Sequence, residues 1–283
     1  MTVGALVDEL AFTLGGDLPD RGGARDVVAA VLDRPRFWPS AHREDAVEPG
    51  QVAAARAAAA AIRAGAPFAY GVGRASFRHL TLVVDPRVLI PRPETELAVD
   101  LVLAATGGRG RIADVCTGSG AIALALAAEG AFDRVIGTDL SADALAVARA
   151  NLAAIPDDKR AAVEFREGDL TAPLAGERVN VLVANPPYIA LTERAELPAT
   201  VRDHEPALAL FGGEDGMKVI DRLVREAADV VVPGGLLVLE IDARRAEVAR
   251  DRAATHGRWS DVHIRPDLTG RERFLVARRE TTP

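Results

Sequence analysis

Arg111–Leu140 reads RIADVCTGSGAIALALAAEGAFDRVIGTDL, which is a strand, a glycine-rich turn, a helical run and a second strand within thirty residues. The same alternation continues to the C-terminus. Strands are expected at VEFREGDL (163–170), VNVLVANPP (179–187), GLLVLEI (235–241), DVHIRPDL (261–268) and RFLVARR (273–279). Helical patterns fall at SADALAVARANLA (141–153), GMKVIDRLVREAADVV (216–231) and ARRAEVARDRAATHG (243–257). Nearly continuous apolar strands alternating with helices imply a doubly wound parallel sheet, buried on both faces. Only a short turn at Thr269-Gly270 separates the last two strands, so they are expected to pair antiparallel at one edge. The expected fold class is therefore α/β, Rossmann-like, with a mostly parallel seven-stranded sheet and an antiparallel closing hairpin.

Upstream the pattern changes. Leu6, Leu10 and Leu14 form one stripe at helical spacing, Val27, Val28, Val31 and Leu32 a second, and Val52, Ala55, Ala59 and Ile62 a third. Residues 1–75 are read as a small domain of three or four helices. Residues 76–92 contain β-branched and aromatic residues around Asp85-Pro86, and are read as a hairpin turning there. From 93 to 283 the chain is read as the α/β domain, with Pro93, Glu94 and Glu96 suiting a helix start.

Three strand ends carry the first chemical signal. Asp114-Val115-Cys116-Thr117-Gly118-Ser119-Gly120 closes one strand and opens a helix. Gly118 and Gly120 allow a ligand close to the backbone there, and the helix N-terminus offers free N–H groups. Asp139 ends the next strand, where a carboxylate can accept both hydroxyls of a ribose. Asp169, followed by Leu170, ends a third, within reach of an adenine amino group. Ligands of doubly wound sheets bind beyond such strand ends, and the three together fit one adenosine-containing ligand.

The second signal is Asn185-Pro186-Pro187-Tyr188 at the end of the fourth strand. Two consecutive prolines remove two N–H donors and stiffen the chain. The Asn185 side-chain oxygen and the backbone carbonyls can then form a rigid pair of acceptors for an NH2 group, with the Tyr188 ring against its planar face.

These residues, with IPRPETE (90–96) in front of them, resemble the HemK/PrmC family of protein glutamine N5-methyltransferases. The likeness spans nearly the whole chain: GAPFAYGVGRASF (65–77), DHEPALALFGGEDGM (203–217) and DLTGRERFLVARR (267–279) also look like family segments. It implies a class I methyltransferase fold, with S-adenosylmethionine as methyl donor and S-adenosylhomocysteine as product. The implied acceptor is the glutamine of the Gly-Gly-Gln motif in class-1 peptide chain release factors. Carried over, Asp114, Cys116, Thr117, Gly118, Ser119, Gly120, Asp139, Asp169, Leu170 and Asn185 would serve the donor site. Asn185, Pro186, Pro187 and Tyr188 would hold the glutamine amide, and the N-terminal helices would help dock the release factor. One position departs from the family, which usually has Gly where this chain has Cys116. Two rival acceptors remain: adenine N6 of DNA or RNA, which also presents a planar NH2, and a glutamine of a ribosomal protein.

Composition narrows the rest. A net charge of −7 weighs against direct nucleic-acid binding, which gathers Lys and Arg to neutralise phosphates. A single cysteine leaves no intrachain disulfide and no cysteine-based zinc site, the five histidines are scattered, and no structural metal is expected. No apolar run approaches the ~20 residues of a bilayer span. The opening MTVGALVDELAF lacks the basic and long apolar regions of a signal peptide, so a cytoplasmic location is expected.

Overall fold

The computed structural model describes residues 1–160 and 162–281, and its contacts divide the chain into two compact units. The first comprises Met1–Arg74, Val84–Pro86 and Pro198–His204. Three longer helices, Val3–Gly15, Arg21–Val31 and Pro49–Arg63, and two single-turn helices, Trp38–Ala41 and Phe68–Val72, make up its N-terminal part. The stripes legible in the sequence form its core: Leu6, Leu10, Val27, Val28, Ala55 and Ala59 are buried, with Leu14, Val31, Leu32 and Ile62 packed at the margin. Thr2 and Asp20 cap the first two helices by accepting from Ala5 N–H and Gly23 N–H.

A two-stranded sheet follows, β1 (Arg74–Phe77) and β2 (Leu80–Val83). Its turn lies at Arg78-His79 and not at Asp85-Pro86, which come after β2; the hairpin expected over 76–92 is shorter and starts earlier. The reason is local. Arg78 takes a positive φ of 52°, its N–H donates to Glu96 Oε1 at 2.8 Å, and its guanidinium grips Glu129. Side-chain anchoring thus makes a turn where no Gly or Asn signals one.

The second unit contains the main sheet. Its strands are β3 (Arg111–Val115), β4 (Arg134–Asp139), β5 (Val163–Glu167), β6 (Val179–Ala184), β7 (Val231–Glu240), β8 (Trp259–Pro266) and β9 (Glu272–Arg279). They lie in the order β5-β4-β3-β6-β7-β9-β8. The first five run parallel, and β9 is antiparallel to both β7 and β8. This is the sheet expected from the strand-helix alternation. The alternating side chains feed two cores. Ile112, Val181, Val183 and Val238 face one, with the helices Glu96–Thr106, Ala121–Glu129 and Ala142–Ala150. Ala113, Val115, Leu182 and Leu239 face the other, with Lys218–Val230 and Ala246–Thr255. With β3 at the centre of the five parallel strands and helices on both faces, the strand order reverses between β3 and β6, and the C-terminal ends there frame a crevice.

Candidate active site

A cavity of about 420 Å³ opens at those strand ends, within the volume range of small-molecule sites. At its β3–β4 end the backbone makes the wall. Cys116, Gly118 and Gly120 all take positive φ (61°, 55° and 82°), which folds the turn back on itself. A Cβ on Gly118 would meet nothing within 4 Å, so the peptide there faces open space. Two carboxylates hold this turn. Asp114 is fully buried, and its Oδ2 accepts from Thr117 Oγ1 at 2.6 Å and from Ala123 N–H at 3.1 Å. Among the described residues its Oδ1 has no partner, and burial raises its pKa to about 7 against the pull of those two hydrogen bonds. Asp139 accepts from Gly118 N–H through Oδ2 and from Ser141 N–H through Oδ1, both at 2.9 Å. Burial nevertheless shifts it upward.

The sequence-expected residues divide accordingly. Cys116, Thr117, Gly118, Ser119, Asp139, Asp169, Leu170, Asn185 and Pro187 all line the cavity. Asp114 lies beneath the wall as an anchor for the turn, and Gly120 starts the helix against Phe165, Leu124 and Ala148. Pro186 is buried behind the wall, and the Tyr188 hydroxyl turns away to Glu240. Asp169 differs from its expected state: both its oxygens receive Arg222, at 3.1 and 2.9 Å, across from the helix Lys218–Val230. A half-exposed carboxylate facing a helix that carries an arginine finds that partner first. Lone pairs remain on each oxygen for a ligand.

At the β6–β7 end side chains make the wall. Asn185 donates from Nδ2 to Thr95 Oγ1 at 3.1 Å, and Thr95 Oγ1 donates to Glu240 Oε2 at 2.7 Å. Tyr188 donates to Glu240 Oε1 at 3.3 Å. Among the described residues the Asn185 Oδ1 takes no hydrogen bond, so the acceptor half of its amide is left over at a residue that lines the cavity. Burial raises Glu240 to about 7, and burial together with the charge on Glu240 raises Tyr188. The segment 205–216 closes over Asn185–Tyr188 by backbone contacts. Ile189 N–H donates to the Leu210 carbonyl and Gly212 N–H to the Ile189 carbonyl. A Cβ on Gly212 would come within 2.4 Å of the Pro187 carbonyl and one on Gly216 within 2.3 Å of the Tyr188 carbonyl, so both positions need glycine.

Residues 95–200 match the Methyltransferase small domain. The release factor glutamine methyltransferase of Streptomyces coelicolor is 40% identical over 279 residues, 96% of this chain and 89% of that protein. The chain belongs to the release factor glutamine methyltransferase family. A second member, from Deinococcus radiodurans, is 45% identical over 75% of this chain and 74% of its own. A solved methyltransferase from Pyrococcus furiosus shares the fold, with a TM-score of 0.50 at 21% identity over 71% of this chain and 89% of that one.

Within this family member, several residues at the site carried no signal of their own in the sequence. Thr95 lies inside IPRPETE and Glu240 ends an apolar strand, and neither spacing nor type shows that they meet. Glu205, with a side chain 1% exposed, accepts from Arg92 at 2.6 Å and from Ile90 N–H at 3.3 Å. It ties two loops of the methyltransferase cavity together across more than a hundred residues of sequence. An acidic residue next to proline in a loop gives no warning of that burial.

Proposed function

We propose that the protein transfers a methyl group from S-adenosylmethionine to the side-chain amide nitrogen of a glutamine, the one in the Gly-Gly-Gln motif of class-1 release factors. The observation that carries this reading is the left-over Oδ1 of Asn185 at the cavity wall. A fixed acceptor there suits an acceptor substrate that arrives with an NH2 group.

The β3–β5 end fits the methyl donor. Its open peptide at Gly118 can approach a ligand closely, and the lone pairs still free on Asp139 can take the hydroxyls of a ribose. Leu170, buried at 8% exposure, supplies an apolar side to the same wall. When bound, the donor supplies an electrophilic methyl on its sulfonium. The protein's own work is placement. An amide nitrogen is a poor nucleophile because its lone pair is delocalised. Asn185 Oδ1 would accept one of its hydrogens, raise electron density on nitrogen and aim it. Such near-attack placement contributes roughly 7–11 kcal/mol in favourable cases. The proton can leave after methyl transfer, when the nitrogen is far more acidic, so no general base is required.

The helical unit would dock the protein acceptor, and Phe12 and Phe37, 62% and 75% exposed, are available for it. Replacing both by Ser should raise KM for the release factor and leave donor affinity unchanged. A release factor substrate also places the reaction in the cytoplasm, and among the described residues no helix is long and apolar enough to cross a membrane.

Mass spectrometry after incubation with donor tests the reading. A release factor should gain one methyl on its Gly-Gly-Gln glutamine, while its Gln→Asn counterpart and an adenine-bearing oligonucleotide should gain none. Methylation of the oligonucleotide alone would transfer the assignment to adenine N6, and methylation of a ribosomal protein alone to that substrate.

A further inference from the structure

Glu240, Thr95 and Asn185 come from three distant segments and meet in one hydrogen-bonded chain. Glu240 is 0% exposed at the end of β7, next to the end of β6 from which Asn185 continues. An ionised carboxylate can only accept. Thr95 therefore commits its single proton to Glu240 and can offer Asn185 nothing but a lone pair. The Asn185 NH2 fills that place, and its oxygen is the atom left for the cavity. An asparagine amide has two orientations related by a flip, and the surrounding donors and acceptors decide between them. Here the decision starts at a carboxylate that is itself out of contact with the cavity.

We propose that Glu240 and Thr95 are positioning residues that fix the polarity of the Asn185 amide, and thereby select an acceptor substrate that brings an NH2 group over one that brings a carbonyl or carboxylate. This rests on Asn185 as the holder of the substrate amide and deepens that reading. The second carboxylate oxygen serves the same corner: Tyr188 donates to it, so ring and amide are set by one residue. Protonation would undo the arrangement. A protonated Glu240 can donate to Thr95, whose proton then turns toward Asn185 and favours the flipped amide. The charged and titratable groups around Glu240 are Arg273, which favours its ionised form, Glu94, which opposes it, and the Tyr188 hydroxyl. Burial outweighs Arg273 and raises Glu240 to about 7, so the switch falls in the neutral range.

Three variants of the full chain, Thr95→Val, Thr95→Ser and Glu240→Gln, test this on a release factor, with donor binding measured by calorimetry as a check of the fold. Thr95→Val should lower kcat about tenfold or more, as misplacement of an aiming side chain does, with donor affinity and KM for the release factor near wild type. Thr95→Ser, which keeps the hydroxyl, should restore most of that loss. The wild type should lose kcat as pH falls through about 7, and Glu240→Gln, whose amide both donates and accepts, should be slower and lack that acid limb. Wild-type kcat in Thr95→Val would overturn the proposal. So would a loss that Thr95→Ser leaves unrestored, or an unchanged acid limb in Glu240→Gln. If the wild type methylates an adenine-bearing oligonucleotide instead, the glutamine reading falls. The same variants assayed on that NH2 substrate then decide the role of Glu240 separately.

Discussion

At the β3–β4 end of the cavity the backbone shapes the wall, whereas at the β6–β7 end the side chains of Thr95 and Asn185 do, held from behind by Glu240. Each end has a buried carboxylate behind it. Asp114 grips the start of a helix within nine residues of itself, while Glu240 reaches Thr95 across 145 residues. The first end is a local motif that folds almost by itself once the strand and helix are in place. The second exists only when the sheet has set β6 beside β7 and brought the 90–96 loop over both. A backbone cradle tolerates changes in side chains that do not hold it, and a side-chain network fails at each member. The two ends should therefore respond differently to substitution.

The largest expected effect is at the side-chain end. On the proposed reading, in which Asn185 Oδ1 holds the substrate amide mainly in the transition state, Asn185→Ala should reduce kcat by about a thousandfold. Donor affinity, measured by calorimetry, should stay near wild type. A variant that loses donor binding and turnover together would show that the two ends are not separable. Asp139→Ala should do the reverse. It removes hydrogen bonds of a charged group at the proposed donor end, worth roughly 1.5–3 kcal/mol, so donor affinity should fall roughly ten- to hundredfold. Asp139 also holds Gly118 N–H, so the loop loosens with it. Asp139→Asn, which keeps an acceptor, should lose less. Equal losses in the two variants would mean that the charge alone matters.

This contrast also explains what could be read from sequence. Asp114 to Gly120 and Asp139 were legible because a local turn needs glycine and polar residues at fixed offsets. The sheet was legible because burial on both faces demands apolar runs. The partner of Asp169 was not, since Arg222 approaches from a helix 53 residues on, and a helical arginine looks like any solvated one. Glu240 was hidden for a related reason. One acid at the end of an apolar strand looks like a strand terminus, and its value depends on Thr95, a residue that pattern alone would class as part of a helix start. The hairpin turn was misplaced because Asp-Pro is a strong generic signal, while Arg78 turns the chain through contacts with Glu96 and Glu129.

A pH experiment sharpens the contrast between the two buried carboxylates. Asp114 and Glu240 both titrate near 7 in the folded chain, above their ordinary values of 3.8 and 4.5, because burial disfavours the charge. A folded pKa raised above the unfolded one gives stability that is complete below the unfolded value and is lost as pH rises through the folded one. Both acids therefore stabilise the fold at about pH 4 and cease to do so above about pH 7. Glu240→Gln removes one of the two contributions. Its melting temperature should gain on that of the wild type as pH rises from about 4.5 to about 7, and keep that gain above it. A constant difference in melting temperature across that range would show that burial does not raise the Glu240 pKa above its unfolded value.

The smallest effect is expected at Cys116, and it tests how far the backbone end depends on backbone alone. Cys116 has φ +61°, a left-handed conformation that costs a residue with a Cβ roughly 1–2 kcal/mol and glycine nothing. The resemblance to the HemK/PrmC family pointed to Gly as the usual residue here, and this φ gives the physical reason. Cys116→Gly should relieve that strain. Against it stand the packing of the thiol beside the Leu182 core and the extra entropy of glycine in the unfolded chain, roughly 0.5–1 kcal/mol. The terms nearly cancel, so stability should change by less than about 1 kcal/mol. Donor affinity should rise by no more than a fewfold, since the change removes a side chain from the wall and leaves the Gly118 peptide where it is. The thiol itself should be inert. Burial first, then the charges of Asp139, Asp114 and Asp169, push its pKa up, so an alkylating reagent at neutral pH should label it slowly. Fast labelling that donor leaves unchanged would place Cys116 outside the wall. A tenfold gain in donor affinity for Cys116→Gly would show that one side chain does govern the cradle.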